Sequence, residues 1–210
     1  MSKARMNKYE RSQLKLEPYL KQVLIGNILG DMRRFSEKAN VRIIFRQGSM
    51  NATYLMHLYN LFQEFVLTPP SVSIVLDKKT GKVRSNLSLS TLSLPCFNEL
   101  YESFYFEDKK VIPNYIADLL TPVSLAYLIM DDGSFTGSGL KLNTQSFSLE
   151  ELNLLLKALD TNFSIKASIN IYNKEKSQYT IYISKNQMSL IRDLVIEYMH
   201  PDMLYILNID

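Results

Sequence analysis

The sequence predicts an α+β protein built as two pseudosymmetric αββαββα halves, each a curved antiparallel sheet backed by helices. Three observations predict it. The order helix, strands, helix, hairpin, helix occurs twice, with a period of roughly 100 residues. Two apolar stretches containing small residues stand at matching places: Val-Leu-Ile-Gly-Asn-Ile-Leu-Gly-Asp at 23–31 and Leu-Ala-Tyr-Leu-Ile-Met-Asp-Asp-Gly at 125–133. Between them, several short segments alternate polar and apolar residues with the period of a strand.

The two apolar stretches organise the rest. Small residues within a large apolar helix let a partner backbone come close, so the stretches are expected to pack side by side. Their C-terminal ends would then bring together Asp31 and Asp132, which lie 101 residues apart. Two carboxylates so placed suit a divalent metal, which prefers oxygen ligands. The plainer reading is a pair of core helices with ordinary acidic ends. A carboxylate there faces the negative end of the helix dipole, however, and its recurrence in both halves favours a purpose.

Taken in order, residues 1–17 form a basic arm carrying Lys3, Arg5, Lys8, Arg11 and Lys15 and running into a helix. Pro18 opens the first apolar helix, which reaches about residue 31. A strand over 41–47 ends at Gln47-Gly48-Ser49, and a helix over 52–66 stops at Thr68-Pro69-Pro70. A hairpin follows, with strands at 71–76 and 83–92 and a turn at 77–82. In its return strand Arg84, Asn86, Ser88 and Ser90 share one face, and Ser85, Leu87 and Leu89 the other. Next come a helix over 97–106, a short element at 114–120, and the second apolar helix, entered through Thr121-Pro122.

The pattern then restarts. A strand over 140–144 points Lys141 and Asn143 outward, and Ser148 with Glu151 predicts a capping box for the next helix. Strands at 164–172 and 178–184 flank a polar turn and put Lys166, Ser168 and Asn170 on one face. A last helix is expected over 187–198. The domain boundaries that follow are an arm at 1–17, a first half at 18–120 and a second at 121–210. Joined through the two apolar helices, the sheets would form one saddle whose concave side carries the polar faces.

Composition narrows the chemistry. Cys96 is the only cysteine, which excludes an internal disulfide and a cysteine-based zinc site, and His57 and His200 are the only histidines. Chemistry must therefore run on carboxylates, lysines and water activated by a metal. No run of about 18 apolar residues is present, so no membrane span is expected. Net charge is +3, but residues 1–110 hold 17 Lys/Arg against 10 Asp/Glu, whereas 111–210 hold 7 against 11. A basic front half is what a polyanion-binding surface produces, although a solvated charged surface gives the same count. Outward polar side chains along a ribbon supply the hydrogen bonds that major-groove readout needs, though a wet strand face also alternates.

These motifs resemble the LAGLIDADG homing endonucleases, specifically the single-chain, two-motif type encoded in mitochondrial introns. Beyond the two motifs, the resemblance rests on Val66-Leu67-Thr68-Pro69-Pro70, Lys109-Lys110-Val111-Ile112-Pro113-Asn114, Leu119-Leu120-Thr121-Pro122 and Leu142-Asn143-Thr144-Gln145-Ser146-Phe147. It covers the chain from about residue 21 to 205. The resemblance implies a site-specific endonuclease, a monomer that hydrolyses both strands of a long asymmetric DNA duplex. Asp31 and Asp132 would ligate Mg²⁺, with Mn²⁺ as a substitute and Ca²⁺ supporting binding without cleavage. Asp131 would be an accessory to Asp132. Lys110 would polarise water and screen phosphate charge, and Gln47 would orient water. Arg42, Arg46, Arg84, Asn86, Ser88, Lys141, Asn143, Lys166 and Asn170 would meet the DNA. The compartment implied is mitochondrial.

One position departs from the family's pattern. The second half should carry its own lysine near the C-terminus, and the matching residue is Ile206, which can neither activate water nor screen a phosphate. Lys185 is the alternative cation, but nothing in the sequence positions it there. The departure leaves open slower cutting of one strand, a nickase, or a protein that binds without cutting. It also leaves open a second class of function, an intron RNA-binding maturase.

Overall fold

The computed structural model describes residues 6–30, 32–37, 40–76, 81 and 83–209. They fall into two compact units, one drawn from 1–20 and 31–101, the other from 21–30 and 102–210.

In the first unit, helix α1 (Lys8–Gln13) lies within the expected basic arm, of which residues 1–5 fall outside the described residues. A capping box closes its start: the Asn7 side chain accepts from the Glu10 amide at 3.0 Å, and the Glu10 carboxylate accepts from the Asn7 amide at 2.7 Å. Helix α2 (Pro18–Leu29) is buried from Val23 to Leu29, as a helix apolar on all sides must be. Strand β1 (Arg33–Glu37) then pairs antiparallel with β2 (Asn40–Gly48). The sequence did not announce β1. It is short and charged, and it forms because β2 offers it a partner.

Helix α3 (Ala52–Leu61) follows β2, and the hairpin of β3 (Ser71–Leu76) and β4 (Val83–Ser90) completes a sheet of order β1-β2-β4-β3. Most of the expected turn between β3 and β4, 77–80 and 82, lies outside the described residues. Val41, Ile43 and Phe45 alternate inward along β2, and Leu89 pairs with Phe45 across the ladder. The helix expected over 52–66 stops at Leu61, and Gln63–Phe65 tightens into a 3-10 turn. That turn carries Phe65 between Phe62 and Phe97, with ring centroids 6.2 and 5.6 Å away, and Phe45 lies 5.3 Å from Phe62. These tilted aromatic contacts are the core of the unit.

Helix α4 (Asn98–Phe104) is shorter than the 97–106 expected. The chain leaves it to make a hairpin, β5 (Tyr105–Phe106) against β6 (Lys109–Lys110). The turn between them puts Glu107 at φ 46° and Asp108 at φ 63°. Two residues at positive φ are what a two-residue hairpin turn demands, and Asp tolerates that region better than most. The helical periodicity ahead of the turn hid it from the sequence.

Helix α5 (Ile116–Leu119) leads to α6 (Pro122–Asp132), whose N-cap Thr121 forms a capping box with Ser124 and whose residues Val123 to Met130 are all buried. Strands β7 (Gly133–Phe135) and β8 (Gly139–Leu142) follow, β7 unannounced like β1. Helix α7 (Leu149–Phe163) starts as expected: Ser148 accepts from the Glu151 amide at 3.3 Å, and Glu151 accepts from the Ser148 amide at 2.7 Å. Strands β9 (Ala167–Asn173) and β10 (Gln178–Ser184) give a second sheet of order β7-β8-β10-β9. Its strand order repeats that of the first, so the repeat read from sequence is a repeat of topology. The final helix, expected over 187–198, is α8 (Met188–Val195), continued by 3-10 turns at Ile196–Tyr198 and Pro201–Leu207. Among the described residues no helix is long and apolar enough to cross a membrane.

Candidate metal centre and nucleic-acid interface

The centre of the second unit is the contact between the C-terminal part of α2 and helix α6. A methyl group added to Gly26 would lie 2.3 Å from the Ser124 carbonyl oxygen and 2.7 Å from Cβ of Tyr127. One turn later, a methyl on Gly30 would lie 2.5 Å from Cβ of Asp131. The two glycines are four residues apart and share a helix face, so they mark a line along which the backbones touch. This is the close approach that the small residues predicted.

That line ends on charge. Gly30 meets the Asp131 side chain, whose Oδ2 is 3.0 Å from where a glycine methyl would be. The Gly30 carbonyl accepts a hydrogen bond from Nζ of Lys110, presented by the β5–β6 hairpin, and that ammonium lies 5.8 Å from the centroid of Phe147. A cation on the last carbonyls of a helix complements its dipole. Asp31, the residue after Gly30, lies outside the described residues. Asp132 closes α6, and its carbonyl accepts twice from Asn143: from the backbone amide at 2.9 Å and from Nδ2 at 3.0 Å. Oδ1 of Asn143 in turn accepts from Gln145 at 3.4 Å.

Asn143 therefore sits just beyond β8 and fastens the helix end, where the sequence suggested an outward base reader. Its role was missed because it depends on the β7–β8 register. Asn143→Ala is expected to lower stability by about 1 kcal/mol in urea unfolding, the net worth of one hydrogen bond. The Asp132 carbonyl keeps its backbone partner, which holds the cost near that figure.

The other expected positions divide between the two sheets. In the first, β2–β4 and β3–β4 pairing sets Arg46, Ser88 and Ser71 in one row across three strands, and Gly48, Asn86 and Ser73 in the next. Ser71 and Ser88 hydroxyls are 3.1 Å apart. Arg42 alternates onto the same face, opposite the buried Val41 and Ile43, and Arg84 pairs in backbone register with Val75. Gln47 follows the parity of Phe45, pairs with Leu87, and accepts from Nδ2 of Asn51 at 3.0 Å.

In the second sheet, Ser134, Lys141, Tyr182 and Ser168 form a row across all four strands, with Asn170 on the same face beside Thr180. Lys166 does not join them. It precedes β9, and its ammonium is held by both carboxylate oxygens of Asp160 at 2.5 and 2.6 Å. Ile206 is 1% exposed, a core residue of the last 3-10 turn, and Lys185 is exposed at the start of another. Burial pushes the pKa of the Cys96 thiol up to about 11, which disfavours the reactive thiolate at neutral pH.

Asp131 and Asp132 offer hard oxygen donors, the chemistry that Mg²⁺ or Ca²⁺ takes. Among the described residues no group of three or more His, Cys, Asp or Glu could hold a metal by itself. Oxygen ligands from a bound phosphate would have to complete the set.

Residues 21–191 match the model of the LAGLIDADG DNA endonuclease family, and the chain belongs to that family. It is 33% identical over 193 residues to the cytochrome b mRNA maturase bI2 of Saccharomyces cerevisiae, covering 87% of this chain but 46% of that protein. It is 31% identical to the probable intron-encoded endonuclease 1 of Wickerhamomyces canadensis, over 94% of this chain and 87% of that one. Among solved structures, the homing endonuclease I-WcaI bound to its DNA recognition sequence superposes with a TM-score of 0.85 at 30% identity, covering 92% of this chain and 88% of that chain. I-DmoI in complex with DNA and Mn shares the fold at a TM-score of 0.52 and 17% identity.

Proposed function

We propose that the chain is a site-specific endonuclease that hydrolyses both strands of a long asymmetric DNA duplex with a divalent metal ion. One observation carries the reading: the C-terminal ends of the two motif helices meet at Gly30 and Asp131, with the Lys110 ammonium on the Gly30 carbonyl. A protein that only bound nucleic acid would gain nothing from a carboxylate and a lysine gathered at one point. In this reading the repeat halves, 18–120 and 121–210, each supply one metal-binding aspartate, Asp31 and Asp132. Asp131 supports them through its contact with Gly30.

A bound Mg²⁺ would lower the pKa of water and stabilise the leaving 3′ oxygen. Lys110 screens the charge of the attacked phosphate and polarises the attacking water. Gln47, whose Oε1 accepts from Asn51, orients water. Arg42, Arg46, Asn86 and Ser88 on one sheet, and Lys141 and Asn170 on the other, meet the duplex. The relatives' intron-encoded and cytochrome b names fit a mitochondrial intron as the source.

A second reading is an intron RNA maturase. It is favoured by the burial of Ile206 where a second lysine would serve, and by the bI2 relative's name.

The deciding experiment is a time course on supercoiled plasmid carrying the intronless junction of the host gene, with Mg²⁺ or Ca²⁺. Direct linearisation in Mg²⁺, with binding but no cutting in Ca²⁺, is expected. Accumulation of open circles would assign one impaired site. Specific binding without any cutting would overturn the nuclease reading and turn attention to the intron RNA.

A further inference from the structure

Away from the motif helices, the first unit contains a cavity of about 220 Å³ lined by Lys8, Arg11, Ser12, Asn40, Ser93 and Pro95. It lies where helix α1 docks on the 3-10 turn Pro95–Phe97, at the start of strand β2. Among the described residues two cations line it and no carboxylate does. The Nε–H of Arg11 is buried there without an acceptor, and neither Lys8 nor Arg11 makes an ion pair with a described residue. A guanidinium N–H taken out of water and left unbonded is costly, more so than a neutral donor.

The polar neighbours are already committed in a consistent way. The Ser12 hydroxyl donates to the Tyr9 carbonyl at 2.7 Å, and the Ser93 hydroxyl to the Asn40 carbonyl at 2.7 Å. Oδ1 of Asn40 accepts from Asn98 at 3.1 Å, which turns the Nδ2 of Asn40 outward as a donor. The groups left to bind a ligand are the Arg11 guanidinium, the Lys8 ammonium and the Asn40 amide. All three donate. A cavity whose charged and amide groups all donate is complementary to an oxyanion.

We infer that this cavity is a phosphate-binding subsite that grips a backbone phosphodiester of the bound DNA duplex. The inference rests on the DNA-binding reading and adds a contact to it. Asn40 and Gln47 are seven residues apart on one strand, which at about 3.3 Å per residue separates the subsite from Gln47 by roughly 23 Å. At about 3.4 Å per base pair that spans at most some seven base pairs of duplex beyond the group that meets Gln47. A contact to phosphate at that distance fixes position and carries no sequence preference. Duplex DNA is the ligand chosen because the sheet of the same unit presents the polar Arg46–Ser88–Ser71 row expected for a groove.

The test has two arms. In the first, the Nε–Hε resonance of Arg11 is followed by NMR while dimethyl phosphate is added to the free protein. A saturable shift that is lost in Lys8→Gln is expected. No shift at millimolar ligand would overturn the subsite, whatever DNA does. In the second, affinity for a duplex with long flanks is measured against salt for wild type, Arg11→Lys and Lys8→Gln/Arg11→Met. The double variant is expected to bind about tenfold more weakly and to lose roughly one to two units of the salt slope, with Arg11→Lys intermediate.

Trimming the first-half flank should erase the difference between the proteins. An unchanged slope, or a weakening that persists on the trimmed duplex, would overturn the DNA assignment. So would the same loss seen with intron RNA and not with DNA. Because the first arm uses no DNA, a wild-type protein that bound no duplex would defeat the endonuclease reading separately.

Discussion

Asp132→Asn is expected to stop cleavage of one DNA strand, lowering its rate on the order of 10³-fold, the scale seen when a principal charge-stabilising group is removed. The substitution is isosteric and leaves the backbone of α6 untouched. The Asp132 carbonyl keeps both bonds from Asn143. What changes is charge: an amide is a poor ligand for a hard cation and does not offset its charge. Binding of the duplex should persist or tighten, because a carboxylate beside phosphates repels them. On supercoiled plasmid in Mg²⁺ the variant should therefore accumulate open circles while the wild type proceeds to linear product. Linearisation at the wild-type rate would remove Asp132 from the metal centre.

Gly26→Val is expected to cost more than about 3 kcal/mol, beyond the usual range for overpacking a core. The reason lies in what the new side chain meets. Its Cβ would fall 2.3 Å from the Ser124 carbonyl oxygen and 3.0 Å from the Leu128 amide nitrogen, both backbone atoms of α6. Side chains can turn aside, whereas two helix backbones must move apart. Every buried contact from Val23 to Leu29 would open with them. A urea titration followed by circular dichroism would read the loss. A midpoint within experimental error of wild type would mean that the helices do not touch along this line. Gly26→Ala should show the same effect in smaller measure.

Much of this is legible in the sequence, because periodicity reports burial and capping residues report helix ends. The two apolar helices, the Ser148–Glu151 box and the β2, β3, β4, β8, β9 and β10 strands all follow from local rules. What escaped were elements that exist only through a partner. Strand β1 carries two arginines and a glutamate in five residues and looks like a loop until β2 lies beside it. Strand β7 is three residues long, too short for any alternation to show. The β5–β6 hairpin hid behind the apolar periodicity of α4, and its turn uses Glu107 and Asp108 where glycine would have given a signal.

The candidate site divides in the same way. That Gly30 needed a close neighbour could be read from its size, but not that Asp131 is that neighbour. Lys110 was reached only through a family pattern, since a lysine pair in a loop otherwise reads as solvated. Asn143 on the Asp132 carbonyl and Lys166 on Asp160 are both products of register. A one-residue shift would have exchanged their surroundings.

The protonated state of Cys96 has a practical consequence for watching this protein move. Burial pushes that single thiol up, so Cys96 reacts with maleimides more slowly than an exposed cysteine. A cysteine introduced at Met50, which is 96% exposed, would then take the fluorophore preferentially while Cys96 stays in place. The arrival of the duplex could be timed from that single dye, in the unaltered core.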